Sequence, residues 1–257
     1  MKFIHDNGTI TPSVLKQKAP RDLINEINRI LNAALEKGIA SAALKYEVPK
    51  TVLAALKQNT FIFSGMKGYH QLKQASLLLL TDKGEIKPFE TFKLEVKSIY
   101  ETYNVNYLNA EYNFAIHSAQ TASKWQDFKK DGDRYNLQFR TAADSKVRAD
   151  HAALANTTLA SDDVFWSKYI PPLGWNCRCT VVQVMKDKYP LSDSTESIDR
   201  GITATTNLDK DGVNKSAMFR TNPGETLNLF PEKHPYMSRE SSPQDIKDAQ
   251  GIIEKIK

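Results

Sequence analysis

Two cysteines, Cys177 and Cys179, are the only ones in this 257-residue chain, and a single residue, Arg178, separates them. Thiolates this close, joined by an imidazole, supply three of the four ligands of a tetrahedral zinc site. His151 offers the imidazole, and Asp144 or a water is the candidate fourth ligand. Structural zinc sites more often leave two to four residues between cysteines. The same pair therefore also reads as two buried thiols closing a small core, and a Cys177–Cys179 disulfide would close a short, strained ring.

Asp144 and His151 have a local setting. Thr141 followed three positions later by Asp144 is a capping-box-like helix start. In such a helix Asp144, Arg148 and His151 fall at i, i+4 and i+7 and share one face. One reading of that face is an Asp–Arg pair with a histidine packed beneath it. Another is catalytic: a base, an orienting carboxylate and a phosphate clamp would suit a small metal- or His-dependent hydrolase or nuclease. The sequence has no Gly-rich phosphate loop and no nucleophile elbow to accompany it.

The elements that must position these residues can be read around them. Tyr135, Leu137 and Phe139 alternate with polar residues, as in a half-buried strand. Asp162 and Asp163 precede Phe165-Trp166 and predict a cap on a short helix at DDVFWSKY. Pro171, Pro172 and Gly174 fix a rigid approach to the cysteines, CTVVQVM reads as a second strand, and Trp166, Tyr169 and Trp175 flank the whole as cover for a small sheet.

Upstream, residues 1–19 lack a period and read as an extended arm. Pro20 suits the opening of a helix, along which Leu23, Ile27, Ile30, Leu31 and Ala34 recur at helical spacing. Gly38 is a candidate stop. A short helix follows Pro49, NTFIFSGMKGY reads as a connection, and a third helix spans Tyr69 to Leu80 before the turn DKGEIKP. From Phe89 to Phe128 the pattern is helical, with the Asn-rich NVNYLNAEYN marking a kink; His117 there reads as a packed histidine. KKDGDR at 129–134 is the best internal boundary. The resulting organisation is an arm at 1–19, a helical region at 20–130, a module at 131–190, and a loop-rich tail at 191–257 with a short helix near Gln244–Ile256. The expected fold class is α+β: a predominantly helical N-terminal half, then a small α+β module with short strands.

Composition narrows the function classes. Hydrophobic residues make up 40% and charged residues 25% of the chain, the balance of a folded globular protein rather than a disordered one. The longest apolar run, Leu77–Leu80, is too short to span a bilayer, and the N-terminus has no signal-peptide core, so a cytoplasmic protein without a membrane partner is expected. The net charge of +5 supports weak, non-specific contact with DNA and falls short of a dedicated nucleic-acid binder.

The run T-x-x-D-x-x-x-R-x-x-H-x-x-L, then D-D-x-F-W, then P-P-x-G-W-N-C-R-C-x-V, resembles the phage Mu F-like head morphogenesis family. The positions are Thr141, Asp144, Arg148, His151, Leu154, Asp162, Asp163, Phe165, Trp166, Pro171, Pro172, Gly174, Trp175, Asn176, Cys177, Arg178 and Cys179. YNVNYLNAEYNFAIHSAQTASKWQDF and MFRTNPGETLNLFPEKHPY also resemble the flanks of this domain in relatives from Bacteroides-type bacteria, a prophage branch. The resemblance implies a non-enzymatic minor capsid protein of a phage or prophage. Such a protein is associated with the portal and other capsid proteins and assists DNA packaging or delivery. It would be found in the host cytoplasm during assembly and then in the virion head. Some branches of the family carry cysteines where this chain has Arg148 and His151, a swap that a metal site tolerates at His151; arginine at 148 cannot bind metal. Relatives are sometimes fused to toxin domains, and the stretch after Val184 is expected to carry none.

Overall fold

The computed structural model describes residues 2–7, 21–42 and 47–237, together with Lys247, Gly251 and Glu254. The helix expected near Gln244–Ile256 thus lies outside the described residues, apart from those three, which are helical; Pro20 and most of the arm also lie outside them. The start of the arm, Lys2–Asn7, is a short helix, α1, rather than extended chain. Its Ile4 is buried, which gives the segment a packing reason to coil.

The helices α2 (Arg21–Ala42) and α3 (Lys50–Leu77) follow. Ile24, Ile27, Leu31, Ala34 and Leu35 of α2 are buried, at the spacing that puts one stripe on one face. Gly38 does not stop the helix. A Cβ there would lie 2.5 Å from the Ile116 carbonyl oxygen and 2.7 Å from Ala119 Cβ, so its glycine admits a neighbouring helix. In α3 the expected connection NTFIFSGMKGY is continuous helix, joining what the sequence suggested were two separate helices. Asn59, Thr60, Phe63, Ser64, Met66 and Lys67 are all buried along it. Tertiary burial overrides the low helix propensity of its glycines.

Then come α4 (Phe89–Glu95), α5 (Lys97–Glu101), a π-helical segment (Thr102–Tyr107) and α6 (Leu108–Lys130). The interruption expected at the Asn-rich stretch is this π segment. It is followed by β1 (Tyr135–Arg140), α7 (Ala149–Ala152), β2 (Thr158–Ala160), α8 (Phe165–Tyr169) and β3 (Thr180–Met185). The tail is more ordered than expected. It holds α9 (Ser194–Ala204), capped by the Asp193 carboxylate, a 3-10 turn (Lys215–Phe219) and α10 (Pro223–Thr226).

The chain forms two compact units. One takes in residues 1–32, 60–112 and 233–257, the other residues 33–59 and 113–232. The first is helical, with α1 set against α4 by an edge-on contact of His5 and Phe89 and by His5 Nε2 at 3.1 Å from the Lys87 carbonyl. The second holds an antiparallel sheet of order β2-β1-β3, in register Gln138–Thr158 on one side and Phe139–Val181 on the other. Because β1 is central, its polar residues are buried as well. Gln138 donates to the Thr158 hydroxyl at 2.8 Å, while its Oε1 is buried without a hydrogen-bond partner. Trp125, Phe128, Leu137, Phe139, Phe165 and Trp166 anchor the core of this unit, and both cysteines belong to it. The whole is α+β, with helices dominating the N-terminal half.

Candidate functional site

Between β1 and α7 the chain does not make the helix expected from Thr141. The side chains there bond their own backbone instead. Thr141 Oγ1 accepts from Ala143 N–H at 3.3 Å, Asp144 Oδ1 accepts from Lys146 N–H at 3.0 Å, and Ala143 sits at a positive φ of 55°. Short polar side chains offer the backbone this alternative to a helical ladder. Helix begins only at Ala149, so Asp144, Arg148 and His151 do not share a helix face. The catalytic constellation drawn from that face does not form.

Asp144 points outward. Its carboxylate accepts from Arg178 Nη1 at 2.6 Å and Nη2 at 2.7 Å. These hydrogen bonds, Arg178's before Lys146's, pull its pKa down to about 2. Asp144 is absent from the cluster that the structure does assemble, which is His151, Cys177 and Cys179, all buried, with their ligand atoms within 4.8 Å of one another. The Cys177 and Cys179 sulfurs lie 3.5 Å and 3.8 Å from His151 Nδ1.

The single-residue spacing explains this arrangement. Along an extended stretch running into β3, alternate side chains point to the same side, so both sulfurs turn inward while Arg178 turns out to Asp144. His151 arrives on α7, where Asp150 Oδ1 accepts its backbone N–H at 2.8 Å. Both cysteines are free thiols, not a disulfide. The Cys177 thiol is held well below its usual pKa, first by the hydrogen bond from Cys179 and then by His151, against the cost of burial. The same hydrogen bond, burial and the neighbouring charge push Cys179 far up.

The remaining expected positions frame this cluster. Arg148 places Nη2 3.2 Å from His151 Nε2 and 3.5 Å from Nδ1. Its Nη1 donates to the Trp175 carbonyl at 3.3 Å. Gly174 makes room for it, since a Cβ there would lie 2.8 Å from Arg148 Nη2. Pro171 and Pro172 are joined by a cis bond, and the Pro171 carbonyl accepts from the Thr121 hydroxyl of α6 at 2.7 Å. Trp166 is fully buried and donates its indole N–H to Ala160 at 2.9 Å. Trp175 packs edge-on against Phe114 and Phe219. Asp162 is exposed; it is Asp163 that accepts from Phe165 N–H and starts α8.

A cavity of about 520 Å³ beside β1 and the turn after β3 is lined by Asn136, Ala160, Lys186, Asp187, Tyr189, Pro190 and Leu191, and shares no residue with the cluster. The cluster is buried and that cavity lies elsewhere. A second buried polar group, unforeseen from the sequence, lies in the other unit. Lys67 Nζ is 3.0 Å and 2.9 Å from the two oxygens of Glu111, with Tyr103, Tyr107 and Tyr236 rings around the ammonium at 5.3–5.9 Å. Burial lowers the Lys67 pKa and raises that of Glu111, each opposed by the other's charge. A lone Lys on α3 and a lone Glu on α6, 44 residues apart, gave the sequence no signal of pairing.

A three-stranded antiparallel sheet, in contact with a short helix through one histidine and two cysteines and closed by aromatic rings, defines a small α+β module. Residues 83–182 match the family described as Phage Mu protein F like protein. A stretch of 71 residues is 37% identical to protein F of Escherichia phage Mu, to which its name ascribes capsid assembly; it covers 27% of this chain and 16% of that protein. The chain thus matches only a small part of that relative's length. No solved structure matches the chain. No described helix is long and apolar enough to cross a membrane.

Proposed function

We propose that this protein acts in the assembly of a phage or prophage head, as a minor capsid protein that docks on the portal or inner shell and assists DNA packaging or delivery. The observation that carries this reading is the family match over 83–182, joined to the likeness to phage Mu protein F. The geometry supports a structural role over a catalytic one. The side chains that could have formed a base, carboxylate and phosphate clamp are divided between an outward ion pair at Asp144 and a buried knot at His151. Contact with DNA is weak and non-specific, as a net charge of +5 spread over 257 residues allows.

The test is a pull-down of purified protein with its cognate portal protein and with procapsids. Retention by the portal or procapsid is the expected result. Failure to associate with either, at low and moderate salt, would sink the reading.

A further inference from the structure

We propose that His151, Cys177 and Cys179 hold a zinc ion that staples α7 to the segment entering β3. This does not depend on the capsid reading, since it rests on ligand geometry alone.

The distances can be tested against the ion. Zinc bonds sulfur at ~2.3 Å and imidazole nitrogen at ~2.0–2.1 Å. Tetrahedral angles then place sulfur about 3.6 Å from nitrogen and about 3.8 Å from a second sulfur. The two sulfurs here lie 3.5 Å and 3.8 Å from His151 Nδ1, and the three ligand atoms fall within 4.8 Å of one another. The ligand atoms already stand near the corners of one face of the coordination tetrahedron. An ordinary thiol–imidazole contact needs only one sulfur near that nitrogen, and here there are two.

Chemistry and charge agree with the geometry. Two thiolates and a neutral imidazole are soft, borderline ligands suited to zinc rather than to magnesium or calcium. Two thiolate charges cancel a divalent cation, so the filled site buries no net charge. Arg148 Nη2 is nearer to Nε2, at 3.2 Å, than to Nδ1, at 3.5 Å, and Nδ1 is the nitrogen that both sulfurs approach. Asp144 is committed to Arg178, so the fourth position falls to a water and not to this carboxylate. The ion would tie together three residues from two places in the chain, α7 and the turn after Pro172.

The experiment uses the full chain, purified without chelator, and measures zinc by elemental analysis. About one zinc per chain is expected, with a melting temperature that falls on strong chelation and recovers when zinc is returned. Replacing zinc by cobalt should give the visible bands of tetrahedral Co²⁺ and a thiolate charge-transfer band. Cys177→Ser and Cys179→Ser should lose the metal, whereas Asp144→Asn should keep it in full. His151→Cys preserves a ligand and should retain zinc, which separates loss of the ion from loss of the fold. Folded wild-type protein with zinc well below one per chain, and melting indifferent to chelation, overturns the proposal. So does an Asp144→Asn variant that loses zinc as completely as Cys177→Ser.

Discussion

Asp144 shows how one side chain can be chemically conspicuous and yet stand outside the site. Its carboxylate grips both terminal nitrogens of Arg178, and that contact holds its pKa at about 2, below the ordinary 3.8. A carboxylate whose pKa is depressed on folding adds stability above its unfolded pKa, and that stability is lost as pH falls through the folded one. Asp144→Asn should therefore melt below wild type at pH 6, with the gap closing between about pH 4 and about pH 2. A gap of constant size across that range would detach the effect from ionisation of this group. The residue types were legible in the sequence, where Cys177, Cys179 and His151 stand out as candidate ligands. What was not legible was the partner. Thr141 and Asp144 bond to backbone at 143 and 146, and that local competition decides between a helix face and a turn. Periodicity carries no information about which will win.

At the scale of elements, the clearest case is the pair of long helices α3 and α6. Lys67 and Glu111 meet with both side chains almost wholly buried, at 0% and 3% exposure. Such a pair is costly to desolvate and costlier still to break. Lys67→Met, which strands a carboxylate among tyrosines, should lower stability by about 3–5 kcal/mol. The double change Lys67→Met with Glu111→Leu should recover most of that loss, because apolar replacement of a buried pair is often neutral or better. Urea melts of the two variants and wild type measure both effects, and a double variant no better than the single one would show that the pair is worth more than its burial costs. The same helices mark where sequence reading stopped. The strands at 135–140 and 180–185, the helix after Asp163 and the turn at DKGEIKP were all visible as alternation, caps and turn residues. Strand β2 has three residues, too few to show a period. The stretch 59–69 looked like a connection because Gly and Ser carry low helix propensity, while the burial that holds it helical depends on contacts far along the chain.

Seen whole, the chain returns at residues 233–237 to the unit formed by its first 32 residues and residues 60–112, and this return makes acid a lever on stability. His234 packs edge-on to Phe63 with ring centroids 5.0 Å apart, lies against Tyr236 at 4.4 Å, and accepts from Tyr236 N–H through Nδ1 at 3.1 Å. Burial, then the charges of Lys67 and His70, push its pKa from 6.5 down to about 3. The histidine is neutral in the fold and protonates first in the unfolded chain. Between about pH 6.5 and about pH 3 the unfolded state thus binds more protons, and stability must fall as pH falls, by at most about 1.4 kcal/mol per pH unit from this one group. Glu111, its pKa raised by burial, contributes a slope of the opposite sign, so the raw pH profile mixes the two. Comparison with His234→Asn separates them, since asparagine retains an acceptor but does not titrate. The variant should be less stable than wild type at pH 7, where ring packing is lost. As the pH is lowered from 6.5 toward 4 the two melting curves should converge, because only wild type has the histidine penalty to bear. Parallel curves across that range would mean that His234 is solvated in the fold and that residues 233–237 do not pack on this unit as described.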